Sequence, residues 1–131
     1  MKKTLLMLIC GLTGLTTLQA QTSISCSYRQ YCDWNEAEEK FGNCSGYEES
    51  SLFALNKDQT MFIHTTETIK SAYYITSKEY DQEKDLWTYD VTSDVGNKYV
   101  YIFDTNNKEI RALYKRNGET RLLVFTIKAT F

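Results

Sequence analysis

Four cysteines and one histidine hold most of the reactive chemistry of this chain. Cys10 lies inside an apolar N-terminal run; Cys26, Cys32 and Cys44 follow it. Thiolates act as nucleophiles, as zinc ligands or as disulfide partners. Gaps of five and eleven residues separate the last three, whereas zinc knuckles use short two-residue gaps. A structural disulfide is therefore the expected use. If Ser23–Cys32 is extended, Cys26 and Cys32 stand about 20 Å apart at ~3.3 Å per residue. A disulfide requires Cα atoms within ~7 Å. Cys44 must then be one partner, and Cys32 is the nearer candidate. A Cys32–Cys44 bond closes a loop of about a dozen residues, worth roughly 3 kcal/mol in the chain-entropy model. Cys26 is left over.

His64 sits within Met61-Phe62-Ile63-His64-Thr65. General acid–base work needs a partner brought close by the fold, and none stands at a recognisable spacing. The sequence has no nucleophile elbow, no His-Glu-x-x-His pair and no phosphate loop. Asp81, Glu83 and Asp85 alternate in Glu79–Asp85 and offer oxygen ligands, but the EF-hand spacing and its central glycine are missing. A solvated hairpin tip is the expectation. No enzyme activity, metal or cofactor is expected.

The ten tyrosines are the unusual feature. A tyrosine packs its ring while keeping a polar handle, which suits both β cores and binding surfaces. Tyr73, Trp87, Tyr89, Tyr99 and Tyr101 are the candidate ligand-binding residues, for a small apolar or sugar-like ligand or for a partner protein.

Those side chains need strands to position them. Beyond Ser51, short β-branched and aromatic runs alternate with turn clusters. The expected strands are Ser51–Leu55, Thr60–Thr65, Ile69–Thr76, Leu86–Thr92, Lys98–Asp104, Glu109–Lys115 and Arg121–Thr130. Asn117-Gly118 suits the two positive φ angles of a type I′ hairpin turn. Asn35 followed by Glu38 mimics a capping box, which predicts a helical turn over Glu36–Phe41. The surrounding acidic stretch, 33–50, is expected to be irregular. Short connections pair sequential strands antiparallel. With the N-terminal segment, about eight strands form a small antiparallel meander. Such a sheet must close or fold over to protect its edges. The predicted fold is all-β: an up-and-down barrel or a two-layer sandwich, in one domain over 21–131.

Met1–Ala20 reads as a cleaved signal peptide: Lys2 and Lys3, an apolar run, then a small residue before Gln21. The expected destination is secretion or the periplasm of a bacterium. Removing both lysines shifts the formal charge from −2 to −4. A mildly acidic domain is a poor partner for nucleic acid. No transmembrane span is expected.

Size, leader and meander resemble secreted lipocalin-like barrels. The Gly-x-Trp that marks lipocalins is absent, since Asp33-Trp34 has no glycine before it. The terminal Ile127-Lys128-Ala129-Thr130-Phe131 resembles the closing strand of outer-membrane barrels. Membrane strands of about ten residues with a clean apolar face are not matched, as Lys70, Asp90, Arg111 and Lys115 interrupt both faces. The leading function is a non-enzymatic module binding a small ligand or partner through aromatic residues; the alternative is an envelope-associated protein using a sheet edge or the spare cysteine, and an enzyme using His64 and the acidic loop ranks third.

Overall fold

The computed structural model describes residues 22–131. The leader Met1–Ala20 and Cys10 lie outside the described residues. Eight strands form a closed antiparallel barrel in sequential order. They are β1 (Thr22–Asn35), β2 (Lys40–Leu55), β3 (Met61–Thr65), β4 (Lys70–Asp81), β5 (Leu86–Ser93), β6 (Lys98–Asp104), β7 (Glu109–Arg116) and β8 (Glu119–Thr130). Closure decides between the two expected architectures. It also removes most of the unpaired backbone that a flat meander exposes.

The alternation expected from sequence is what fills the barrel. Phe53 of β2, Phe62 of β3, Tyr73 of β4, Tyr89 of β5, Tyr101 and Phe103 of β6 and Phe125 of β8 all point inward and are buried. Phe53 is fully buried (0 % exposed). Its ring centroid lies 4.1 Å from that of His64, 5.1 Å from Phe125 and 6.0 Å from both Phe62 and Phe103. Most of these pairs meet edge to face or tilted, the geometry that ring quadrupoles favour. Each fully buried aromatic adds roughly 2–3 kcal/mol of transfer free energy.

Three hairpins share one turn design. Glu36–Glu39, Gln82–Asp85 and Thr105–Lys108 are four-residue turns, each ending on a positive φ: Glu39 at 53°, Asp85 at 51°, Lys108 at 57°. A short polar side chain opens each one by accepting a backbone N–H. Asn35 Oδ1 accepts from Glu38 N at 3.0 Å, Asp81 Oδ1 from Glu83 N at 3.1 Å, and Asp104 Oδ1 from Asn107 N at 3.3 Å. The Asn35–Glu38 hydrogen bond that mimics a helix cap thus staples a hairpin turn, and no helix forms over Glu36–Phe41. The 33–50 stretch is strand on both sides of that turn, not irregular. Asn117 and Gly118 both have positive φ (54° and 80°), which makes the β7–β8 link the type I′ turn expected from sequence.

The Cys32–Cys44 disulfide is present, with Cα atoms 4.2 Å apart. It clamps β1 to β2 at an irregularity in their register between Tyr31 and Asp33. Cys26 is free and buried, and burial pushes its thiol up to about 12.

Candidate functional site

The barrel ends differ. One end is sealed by side chains. Gln59 Nε2 donates to the Tyr89 hydroxyl at 3.0 Å, and the Tyr80 ring lies 4.8 Å from Trp87. Asn106 Nδ2 donates to the Lys84 carbonyl at 3.1 Å, joining two turns.

At the opposite, split end two ladders stop short. The β2–β3 ladder stops at Leu52–Thr65, although β2 continues back to Lys40. The β6–β7 ladder stops at Val100–Leu113, although β6 begins at Lys98 and β7 runs to Arg116. Beyond those points β7, β8, β1 and β2 stay paired with one another, as far as Arg116–Glu119, Asp33–Arg121 and Asn35–Lys40. They make a tall wall facing a short wall of β3 to β6. Two side openings separate the walls.

The β6–β7 opening is a cleft of about 710 Å³. Tyr99 and Tyr114 lie at its base with ring centroids 5.5 Å apart. Lys98, Lys115 and Asp90 bring charge to its rim, and Thr92 and Thr120 bring hydroxyls. Burial raises the Tyr99 hydroxyl above its ordinary range, helped by Tyr73 and Tyr114. Beside the β2–β3 opening lies a groove of about 510 Å³ lined by Ser27, Tyr28, Glu48, Glu49, Ser50 and Glu67.

Between the openings, the inner face of the tall wall is polar. Arg29 pairs across strands with Tyr47 and with Phe125. Its guanidinium carbon lies 5.3 Å from the Phe125 ring centroid and 5.2 Å from that of Tyr31. Glu49 holds it in an ion pair of 3.2 Å. Arg121 extends the charge upward through Asp33 at 3.1 Å and Glu119 at 3.2 Å. Across the mouth, His64 stacks on Phe53 and meets the Phe125 edge at 5.0 Å. Burial, then the Arg29 charge, lowers its pKa to about 4. An imidazole held neutral so far below pH 7 is a weak general base. Ser51 is its neighbour, yet neither side chain is hydrogen-bonded to the other.

The structure separates the aromatic residues singled out from sequence. Tyr73, Tyr89 and Tyr101 are core. Trp87 lies with Tyr80 and Tyr89 towards the sealed end. Tyr99 alone of the five lines the 710 Å³ cleft. Tyr114, already placed on a strand, joins it there. Arg29, Tyr31, Tyr47, Glu49 and Ser51 were not singled out. A register irregularity between Cys26 and Tyr28 explains part of this. It flips the parity of β1, so Ile24 and Cys26 face inward and Arg29 and Tyr31 then do so as well. Asp81 and Asp85 are engaged within their own hairpin, Asp85 accepting from the Tyr80 hydroxyl at 2.8 Å. Among the described residues no group of three or more His, Cys, Asp or Glu is arranged to hold a metal.

No family model, no curated protein and no solved structure matches this chain. The site is therefore read from its own geometry.

Proposed function

We propose that this protein is an exported, non-enzymatic binding module, and that its split end takes a small neutral ligand of the sugar class. The observation that carries this reading is the β6–β7 cleft. It sets two tyrosine rings below a rim of lysines, an aspartate and threonine hydroxyls. Small-ligand sites combine apolar or aromatic lining with a few convergent polar groups, in volumes of ≈ 300–1,000 Å³. The packed aromatic centre argues against an apolar ligand enclosed deep in the barrel. Outward positions such as Thr88, Asp90 and Thr92 of β5 are polar, the opposite of a lipid-facing band. The disulfide suits an oxidising compartment, and no helix among the described residues is long and apolar enough to cross a membrane.

Chemical-shift mapping of the disulfide-intact protein tests the reading. Glucose or cellobiose should move Tyr99 and Tyr114 resonances, and a Tyr99→Ala/Tyr114→Ala variant should lose the response. Sugars that move neither tyrosine would overturn it.

A second reading is favoured by one observation. The β3-facing edge of β2 has no ladder partner from Lys40 to Ser51. A partner protein can add a strand there. The spare cysteine supports no covalent partner, since its thiol is enclosed in the core and remains protonated.

A further inference from the structure

Three polar atoms at the split end are closed off from solvent without a hydrogen-bond partner: Arg29 Nε on β1, Ser51 Oγ on β2 and His64 Nε2 on β3. Ser51 and His64 are both about nine-tenths buried or more, at 7 % exposed each. The register makes all three neighbours. Ser51 faces Cys26 across the β1–β2 ladder, and Arg29 is the next inward side chain on β1. His64 faces Phe53, two residues along β2 from Ser51, so His64 and Ser51 are diagonal neighbours on one face. Phe125 closes the corner from the other side, within 5.3 Å of the Arg29 guanidinium and 5.0 Å of the His64 ring. Native proteins leave few buried polar groups unsatisfied. Three on adjacent strands define a partner by what they can exchange with it.

Arg Nε only donates, a serine hydroxyl donates and accepts, and Nε2 of a neutral imidazole donates or accepts according to the tautomer. A carboxylate serves only the tautomer that donates from Nε2, and it would lie against Glu49, which already holds Arg29. An ammonium would lie against the Arg29 charge. A hydroxyl serves either tautomer: its oxygen accepts from Arg29 Nε–H and from one of Ser51 and His64, and its proton goes to the other. The β2–β3 ladder ends at Leu52–Thr65, one residue past Ser51. The groove beside that end is lined by Ser27, Tyr28, Glu48, Glu49, Ser50 and Glu67, whose carboxylates repel anions.

We propose that Arg29, Ser51 and His64 form a hydroxyl-recognising subsite, and that a neutral sugar enters by the β2–β3 opening and seats one hydroxyl among them. This rests on the reading of the split end as a sugar site, and it assigns the selectivity for uncharged ligands to that corner.

His64 is the only histidine, so its imidazole nitrogen resonances report this corner without ambiguity. The full chain, disulfide intact, is titrated with glucose, glucuronate and glucosamine. Glucose should shift the His64 Nε2 signal most. Ser51→Ala should weaken glucose binding about tenfold, the scale of one hydrogen bond to a charged or polar partner. Ser51→Ala deletes a single oxygen, so it remains informative if His64→Phe fails to fold. Glucose that moves Tyr99 and Tyr114 but leaves His64 untouched would overturn the subsite and leave the split-end reading intact. No shift anywhere would overturn both. A stronger His64 response to glucuronate would overturn the neutral-hydroxyl assignment.

Discussion

The two ends of the barrel share the same eight strands and use them differently. At the sealed end the β3–β4 and β7–β8 ladders also stop short of the longer strand, at Met61–Tyr74 and Glu109–Thr126, but turns and aromatic side chains close over the core. At the split end, two ladders stop early, and the strands that continue carry arginine, glutamate and tyrosine inward. Hydrophobic packing holds the first end, so its residues answer to stability. The second places polar groups beside its openings, and the proposed binding rests on those residues. Uneven strand ends occur at both; what differs is the side chains that meet there.

The contrast can be broken by mutation. Phe53→Ala should cost about 3–5 kcal/mol, because it removes the ring on which five others pack and leaves a cavity that the barrel wall cannot fill. Urea unfolding followed by circular dichroism measures it; a loss no greater than that of Tyr47→Ala would erase the distinction between the aromatic core and the polar wall above it. Cys32→Ser should cost roughly 3 kcal/mol through the loop closed by the disulfide. Hydrogen exchange should place the extra opening in β1 and the first half of β2, leaving β5 and β6 protected.

The pH dependence sharpens the comparison. His64 has a folded pKa of about 4 against an ordinary 6.5. Above 6.5 it is neutral whether folded or unfolded. As pH falls below 6.5 the unfolded chain takes up the proton first, so stability declines and levels off near pH 4, by about 3 kcal/mol in all at 1.36 kcal/mol per unit. His64→Phe should flatten that part of a stability–pH curve, and an unchanged slope would show that His64 is not the titrating group. Gly46→Ala should cost about 1–3 kcal/mol. An added Cβ there would stand 2.7 Å from the Arg29 carbonyl oxygen and 2.7 Å from the Tyr28 ring, which lies across the glycine. Thermal melts read this directly. The smallest effect on stability is expected for Thr120→Ala at the rim of the β6–β7 cleft, within about 0.5 kcal/mol as for most surface changes. Its effect should appear in sugar titrations instead.

Much of the barrel was legible in the sequence because its core strands alternate cleanly. Trp87, Tyr89 and Val91 of β5 and Tyr99, Tyr101 and Phe103 of β6 are apolar at every second position, and their turns carry Asn, Asp and Gly. The disulfide followed from the reach of an extended chain. The β1–β2 ribbon was not legible beyond Cys32. Its upper half stands above the core, so its side chains meet solvent or one another and no apolar period survives. Its glutamates, asparagines and glycines then read as loop. The candidate site was only partly legible, through Tyr99 and the isolated His64. Arg29 looks like any surface arginine until the irregularity after Cys26 turns it inward, and the early ladder stops that create the openings depend on pairing between strands distant in sequence.

The exposed margin of β2 has one further property. Asn43 adopts a positive φ of 51°, which breaks the margin's extended course near its Lys40 end. A straight strand laid against it would fall out of step after a few residues, so an incoming segment needs a matching bend. Shape, ahead of side-chain identity, then decides what zips on, and a stray extended chain, including a half-folded copy of the same protein, is turned away before a fibre can start.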